Sequence, residues 1–294
     1  MNGLTDYITE RSWSDTVTTW YVQVDDAYQR LIVRLGHRLR QSGSEPTFSD
    51  SEVITVSLII ETFFQGNEEV GYAFVSQYMR DLFPNLLDLD RFNARRRELI
   101  AVIEAVRRDW RDQKLDRNDP VRLTDSAPVA LMTYSRGARS VSVAGHEYFG
   151  VVTSKKAKVF GWRIHVTTTV DQLIDEWILA PASYVDGDVL EVLMQTAHDL
   201  VLVGDKGYTD AALEDRLWHT RRIMLLPLRR KNEKRQWDKD IRKILGRIRH
   251  NVETVFSTVS TVFNLEHPRG RSVAGHVVRI ATILLAHTLS FFMV

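Results

Sequence analysis

Residues 200–208 read Leu-Val-Leu-Val-Gly-Asp-Lys-Gly-Tyr, a continuous apolar run followed at once by polar and turn-forming residues. A run of this kind is typical of a strand that is buried on both faces of a sheet. Residues 223–226 form a second such run, and the apolar residues that follow Asp186-Gly187 have helical spacing. Buried strands that alternate with helices predict a mixed α/β domain with crossover connections.

Upstream of this stretch, the apolar pattern changes to a period of two. Apolar and polar residues alternate from Phe160 to Thr168, which predicts a half-buried strand. Residues 177–179 predict a further strand, joined to it by a turn at 170–172. Val121 and Leu123 alternate with polar neighbours and predict a short strand that ends at Asp125.

The first third of the chain has helical periodicity and shows no strand pattern before residue 120. Ser49 and Glu52 have the spacing of a capping box, which predicts the start of a helix. One long helix is predicted from about Asp90 to Asp112. We therefore expect a helical region over residues 1–118 and an α/β region over residues 119–294.

The composition excludes several classes of protein. The chain has 294 residues, of which 44% are hydrophobic and 26% charged, as in ordinary globular proteins. It has no cysteine, which excludes disulfides, thiolate catalysis and zinc–thiolate sites. The apolar stretch 273–294 contains Arg279, which favours a buried helix over a membrane span. The N-terminal residues lack the apolar segment of a signal peptide, so we expect a cytoplasmic protein with no membrane partner.

Two aspartates follow predicted strands, Asp125 after the first and Asp205 after residues 200–204. In α/β sheets, functional groups lie beyond the carboxyl ends of parallel strands. If the two strands are parallel neighbours, the two carboxylates converge at one edge. Carboxylate oxygens are hard ligands that suit Mg²⁺.

A third acidic residue, Glu253, lies on the predicted helix 238–263 beside its apolar stripe, four residues after Arg249. Each acid also has an ordinary structural interpretation. Asp125 would cap a turn, Asp205 would begin the strand exit, and Glu253 would pair with Arg249 at the surface. The joint pattern of two strand-end aspartates and a helical glutamate, accompanied by a basic segment, favours a metal site.

That basic segment, residues 229–249, contains ten Lys or Arg and three Asp or Glu, although the whole chain has a net charge of only +1. A solvated helix face and a phosphate-binding surface are both compatible with such a block.

Three stretches resemble the signature blocks of DDE transposases from bacterial insertion sequences: Leu-Thr-Asp-Ser-Ala-Pro at 123–128, Gly-Asp-Lys-Gly-Tyr at 204–208 and Arg-His-Asn-Val-Glu-Thr-Val-Phe-Ser at 249–257. The similarity covers about residues 119–265. It implies an RNase-H-like fold in which Asp125, Asp205 and Glu253 are the catalytic triad and hold two Mg²⁺ ions, for which Mn²⁺ substitutes. Arg249 also matches the Arg of the related Tyr–Arg–Glu–Lys motif, whereas Gly246 and Ser260 stand at its Tyr and Lys positions.

The resemblance implies a transposase that cleaves the ends of an insertion sequence and transfers the 3′-OH strand into target DNA. Its implied partners are double-stranded DNA, as inverted-repeat ends and as target, and a second copy of the chain in a homodimer. A magnesium-dependent nuclease without strand transfer and an inactive DNA-binding relic are the alternatives. The candidate DNA-binding residues are Arg249, Arg247, Arg229, Arg230, Lys231, Lys234, Arg235, Lys206, His165, Arg95 and Arg96.

Overall fold

A computed structural model describes residues 12–37, 44, 46–152, 157–233 and 235–293. Lys234, one of the candidate DNA-binding residues, lies outside this set. The chain divides into two compact units. The first contains Met1–Lys114 with Val259–Val294, and the second contains Leu115–Thr258. The predicted regions divide at 118/119, close to the end of the first segment. Residues 259–294, which the sequence placed with the α/β region, group with the N-terminal helices.

Among the described residues, the N-terminal part of the first unit contains the helices α1 (Trp13–Leu35), α2 (Asp50–Phe64), α3 (Glu68–Tyr78), α4 (Leu89–Glu98) and α5 (Ile100–Lys114). The predicted capping box is present at the start of α2, since the Ser49 side chain accepts from Glu52 N–H and the Glu52 side chain accepts from Ser49 N–H. The single helix predicted from about residue 90 to 112 is wrong. It is interrupted at Leu99, whose N–H donates to the carbonyls of both Arg95 and Arg96.

The second unit is built on a six-stranded mixed sheet: β1 (Val121–Met132), β2 (Phe149–Val152), β3 (Ala157–Thr168), β4 (Ile174–Pro181), β5 (Val201–Gly204) and β6 (Met224–Pro227). β1 lies between β3 and β5, and β6 is the outer neighbour of β5. β5 is parallel to β1 and to β6, whereas β3 is antiparallel to β1, β2 and β4. Three helices accompany the sheet: α6 (Asp186–Leu193), α7 (Ala211–Arg221) and α8 (Lys239–Phe263). The predicted α/β class is confirmed, and α7 is the helix that alternation predicts between the two buried strands, whereas β2 was not predicted.

One face of the sheet carries a closed apolar cluster. Leu190 and Leu193 of α6 and Leu213 and Leu217 of α7 pack with Leu202 of β5. Burial of these side chains holds β5 in the sheet between β1 and β6, because apolar area removed from water is the main driving force of folding. Val203, the next residue of β5, points to the other face, because side chains alternate along a strand.

The last helix, α9 (Val273–Leu289), belongs to the first unit and packs on α2 and α5. Within the described part of the chain, Val273–Phe292 is the one helical stretch whose length and composition would allow it to cross a membrane, and 72% of its apolar window is buried. Arg279 is buried in its middle and is paired with Glu61 of α2. Its apolar character thus belongs to the core of a helical unit.

Candidate active site

The parallel pairing of β1 with β5 places two acids side by side. The last paired residues are Leu123 and Val203, both buried. Asp125 and Asp205 each come two residues later, so both side chains lie on the same face as Leu123 and Val203, because side chains alternate along a strand. The prediction that Asp125 ends a strand is wrong. β1 continues to Met132 because β3 keeps pairing with it, and the parallel partner alone ends here.

The third acid comes from α8. Leu245, Val252 and Val255 bury the apolar stripe of this helix. The Asn251 side chain donates to the carbonyl of Val170, in the turn after β3, at 2.8 Å. This contact fixes the rotation of α8 at the level of the sheet edge. Residues 249 and 253 are therefore held beside the two aspartates.

The guanidinium of Arg249 lies among all three carboxylates. Its Nη2 is 3.6 Å from Asp125 Oδ2 and 4.0 Å from Asp205 Oδ2. Its Nη1 donates to Glu253 Oε1 at 2.5 Å. Three acids from three separate parts of the chain thus converge on one cation.

Burial and charge affect the acids differently. The Asp125 side chain is 18% exposed and that of Glu253 45%. Burial raises the pKa of Asp125 to about 6, and the neighbouring charge of Asp205 acts in the same direction, against the Ser126 N–H and Arg249. Burial also opposes ionisation of Glu253, but hydrogen bonds from His250 and Arg249 outweigh it and lower the pKa of Glu253. At neutral pH the carboxyls of Asp125 and Glu253 are therefore mostly ionised.

Asp205 is further oriented by its own turn. Its Oδ1 accepts the Gly207 N–H at 2.6 Å and caps the short 3₁₀ turn Lys206–Tyr208. Asp205 therefore caps the turn after its strand, as its structural interpretation predicted, and also lies beside Asp125. The turn leaves Oδ2, the oxygen that faces Arg249, without a role in capping.

A fourth acid, Asp186, lies nearby and was not among the predicted site residues. It begins α6, and its Oδ1 accepts from Ser126 Oγ–H at 3.1 Å while Arg163 Nη1 lies 3.6 Å away. Its charge contributes to the raised pKa of Asp125. From the sequence, Asp186 is recognisable only as a helix start, because its partners Ser126 and Arg163 lie far away along the chain.

The three acids offer the oxygen ligands that a hard divalent cation requires. Among the described residues, no three Asp, Glu or His side chains are close enough together to hold a metal ion as they stand. The chemistry of the three acids nevertheless fits a hard cation, because all donors are carboxylate oxygens and the cluster keeps a surplus of two negative charges beyond Arg249.

Four of the predicted DNA-binding residues are not available at the surface. His165 is 1% exposed and burial, with Arg163 nearby, lowers its pKa to about 3. Arg96 is 1% exposed and paired with Glu61 and Glu68. The prediction of phosphate contacts at these two residues is wrong, because each side chain is enclosed by the protein.

The prediction of DNA contacts at Arg229 and Arg95 is wrong for the same reason. Arg229 is 4% exposed, pairs with Glu214 at 2.6 Å and lies against the Trp237 ring. Arg95 is mostly buried and hydrogen-bonds to Asp50. The described candidates that are exposed are Lys206, Arg230, Lys231, Arg235 and Arg247. Arg249 is largely enclosed by the acids.

Comparison with known proteins identifies the class to which this fold and site belong. The profile of the transposase DDE domain family matches residues 114–273. The chain therefore belongs to the DDE transposase family, and the predicted family is confirmed. No curated protein matches the sequence significantly.

A solved structure agrees with this assignment at the level of the fold. The chain is similar to the piggyBac transposase in a cryo-EM structure of its synaptic complex with hairpin DNA, with a TM-score of 0.50 and 9% sequence identity. The similarity covers 94% of this chain and 72% of that chain. The chain is thus a transposase by family, and it shares its fold with a solved transposase.

Proposed function

We propose that this transposase cleaves the ends of an insertion sequence and joins the freed 3′-OH strand to target DNA, with Asp125, Asp205 and Glu253 as its catalytic acids. The observation that carries the proposal is the convergence of these carboxylates, from β1, the end of β5 and α8, on one guanidinium. The DDE family supplies the class of reaction.

The three acids would hold two Mg²⁺ ions, with Mn²⁺ as a substitute. The chemistry supplied by bound ions is activation of water or a 3′-hydroxyl and stabilisation of the leaving oxygen. In the cleavage step, the oxygen of water bonds to phosphorus and the phosphorus–O3′ bond breaks, which frees a 3′-OH. In the joining step, that hydroxyl attacks a target phosphodiester and displaces a target 3′-OH. Neither step needs a covalent protein intermediate.

The protein contributes position and charge. The sheet fixes the two aspartates, and Asn251 fixes the rotation of the helix that bears Glu253. Exposed basic residues would neutralise DNA phosphates, which makes binding salt-dependent. Those in the second unit are Lys206, Arg230, Lys231, Arg235 and Arg247.

A strand-transfer assay tests the proposal. Purified protein is incubated with a labelled 3′-OH oligonucleotide that carries the element end, with supercoiled plasmid and with Mg²⁺. Joined product supports transposition, and cutting without joining supports a nuclease. DNA binding without cutting supports an inactive relic. Asp205→Asn is expected to abolish both reactions while DNA binding remains, and an active Asp205→Asn protein would remove the site from consideration.

The genetic context and assembly are part of the same proposal. We expect inverted repeats in the DNA that flanks the gene, and sequencing those flanks checks this. We also expect a homodimer on paired DNA ends, because two ends must be joined in one event. Light scattering of the protein with and without end DNA measures this stoichiometry. Chromosomal DNA in the cytoplasm of a bacterium is the expected place of action.

A further inference from the structure

Arg249 is the common neighbour of all three proposed catalytic acids. It contacts Asp125 and Asp205 through Nη2 and Glu253 through Nη1. Its side chain is 22% exposed, so it lies at the mouth of the cluster and has a path to solvent. A single cation that is shared by three anions balances only part of their charge.

Little else holds the guanidinium in place. Its Nε is buried and has no hydrogen-bond partner among the described residues. All of its described ion pairs go to the three acids themselves. If those carboxylates bind another cation, the attraction that keeps Arg249 among them is lost.

Other basic groups near the acids do not occupy the same position. Arg163 lies 3.6 Å from Asp186, which is not one of the three acids. His250 contacts Glu253 alone at 3.2 Å, and its side chain is 76% exposed. Arg249 is therefore the one described residue that bridges all three acids.

We infer that Arg249 is an internal counter-ion that gathers the three carboxylates in the metal-free protein and must leave them when a divalent cation binds. This inference rests on the proposed function, since it takes the three acids as metal ligands. Arg249 acts through the carboxylates and is a positioning residue. It lowers the apparent affinity for the metal, and in exchange the anionic cluster is stable without one.

Mn²⁺ titration of the full-length protein by calorimetry tests the inference. Arg249→Gln removes the competing cation, so Mn²⁺ is expected to bind about tenfold more tightly than to the wild type, which corresponds to about 1.4 kcal/mol. A merely structural role predicts the reverse, because disordered carboxylates would bind Mn²⁺ more weakly.

Arg247→Gln is the matched control. Arg247 lies on the same helix, is exposed and has the same charge, but the described ion pairs of the three acids with arginine go to Arg249 and not to Arg247. Its removal is expected to change the Mn²⁺ affinity less than about twofold, since exposed charges are screened. Equal tightening in both variants would mean a general field effect and would overturn the inference.

Thermal unfolding gives a second measurement. Without metal, Arg249→Gln is expected to lower the Tm, because three carboxylates lose their shared counter-ion. With saturating Mn²⁺ the difference from wild type is expected to vanish or change sign. A deficit of equal size with and without Mn²⁺ would contradict displacement.

Arg249→Lys keeps the test decisive if the glutamine variant does not fold. Lysine keeps the charge, but its single ammonium lacks the planar fork that reaches three acids, so an intermediate tightening of about threefold is expected. Asp205→Asn reports on the proposed function separately. Mn²⁺ that binds to Asp205→Asn as it does to wild type, or that binds to neither, overturns the proposed metal site itself. Equal Mn²⁺ affinity of wild type and the Arg249 variants, with loss in Asp205→Asn, overturns only the inference.

Discussion

The two units each contain a cluster of arginine and carboxylate side chains, and the clusters differ in almost every property. In the first unit, the closed cluster consists of Glu61, Arg96 and Arg279, whose side chains are at most 2% exposed. In the second unit, the open cluster consists of Arg249 with its three acids, which are 18–45% exposed.

The charge ratios differ as well. In the closed cluster, two arginines surround one glutamate. Arg96 also pairs with Glu68, and Arg279 also donates to the carbonyls of Gln65 and Phe263. In the open cluster, one arginine serves three acids. The comparison teaches that a buried ion pair with backbone partners supports the fold, whereas surplus anions at an exposed sheet edge are available to a ligand.

The largest expected effect is on activity, in the open cluster. Asp125→Asn is expected to reduce DNA cleavage about a thousandfold or more, because transition-state stabilisation of about 4 kcal/mol is lost. Stability should not fall with it. Because the pKa of Asp125 is raised in the folded protein, its carboxyl ionises in the unfolded state at lower pH than in the folded state. The contribution of Asp125 to the free energy of unfolding therefore decreases as pH rises from about 4 to about 6. Asparagine does not titrate, so the variant should gain relative to wild type across that range.

Plasmid cleavage and urea unfolding at pH 4, 6 and 8 measure the two effects of Asp125→Asn. If the variant lost activity because it unfolds at pH 8, the open cluster would serve stability as the closed cluster does, which contradicts the comparison.

The closed cluster should respond in the opposite way. Glu61→Gln leaves Arg96 and Arg279 buried without their shared anion, and we expect a loss of about 3 kcal/mol in the free energy of unfolding. Glu69→Gln, at an exposed position of the same unit, should change stability by less than about 0.5 kcal/mol. Urea denaturation of both variants measures the difference, and equal values would show that burial of the pair is not what matters.

A glycine substitution sharpens the same contrast. Gly66 has a φ of +66°, and an added Cβ would collide with the Arg279 guanidinium. Gly66→Ala is therefore expected to cost about 2 kcal/mol, from backbone strain and displacement of Arg279. Gly36→Ala isolates the strain, since Gly36 has a φ of +71° with nothing within 4 Å of an added Cβ. The difference in urea midpoint between the two variants measures the rigidity of the closed cluster.

The smallest effect is a gain. Gly246 lies within α8, one turn before Arg249, and an added Cβ would have nothing within 4 Å. Gly246→Ala is expected to raise stability by about 1 kcal/mol, because alanine favours the helix over the unfolded chain. Thermal unfolding checks the gain, and a lowered Tm would indicate that α8 at this level depends on a glycine.

Features set by residues close in sequence were predicted well. The capping box at Ser49 depends only on Glu52. The strand before Asp205 was predicted from the apolar run that forms it. The convergence of Asp125 with Asp205 followed from one further assumption, that their strands are parallel neighbours, which the structure has. The alternation of elements predicted a helix between β5 and β6, but local periodicity did not give the bounds of α7.

Features set by distant partners were not predictable in the same way. The basic character of Arg96 and Arg229 suggested DNA contacts, but their partners Glu61 and Glu214 bury them. His165 lies on a face that the sequence shows as polar, and α6 covers it through Asp186. Burial of a charged residue depends on which helix packs against it, and this information is spread over the whole chain.

The short ladder between β1 and β5 determines the distance between Asp125 and Asp205. Only three residue pairs join these strands, and each aspartate follows the last pair by two residues. The separation of the two aspartates is therefore governed by hydrogen-bonded backbone, which side-chain substitutions nearby can hardly alter. Glu253 comes from a separate helix and has a longer side chain. Substitutions near Glu253 can therefore change its distance from the two aspartates, whereas the distance between the aspartates stays fixed.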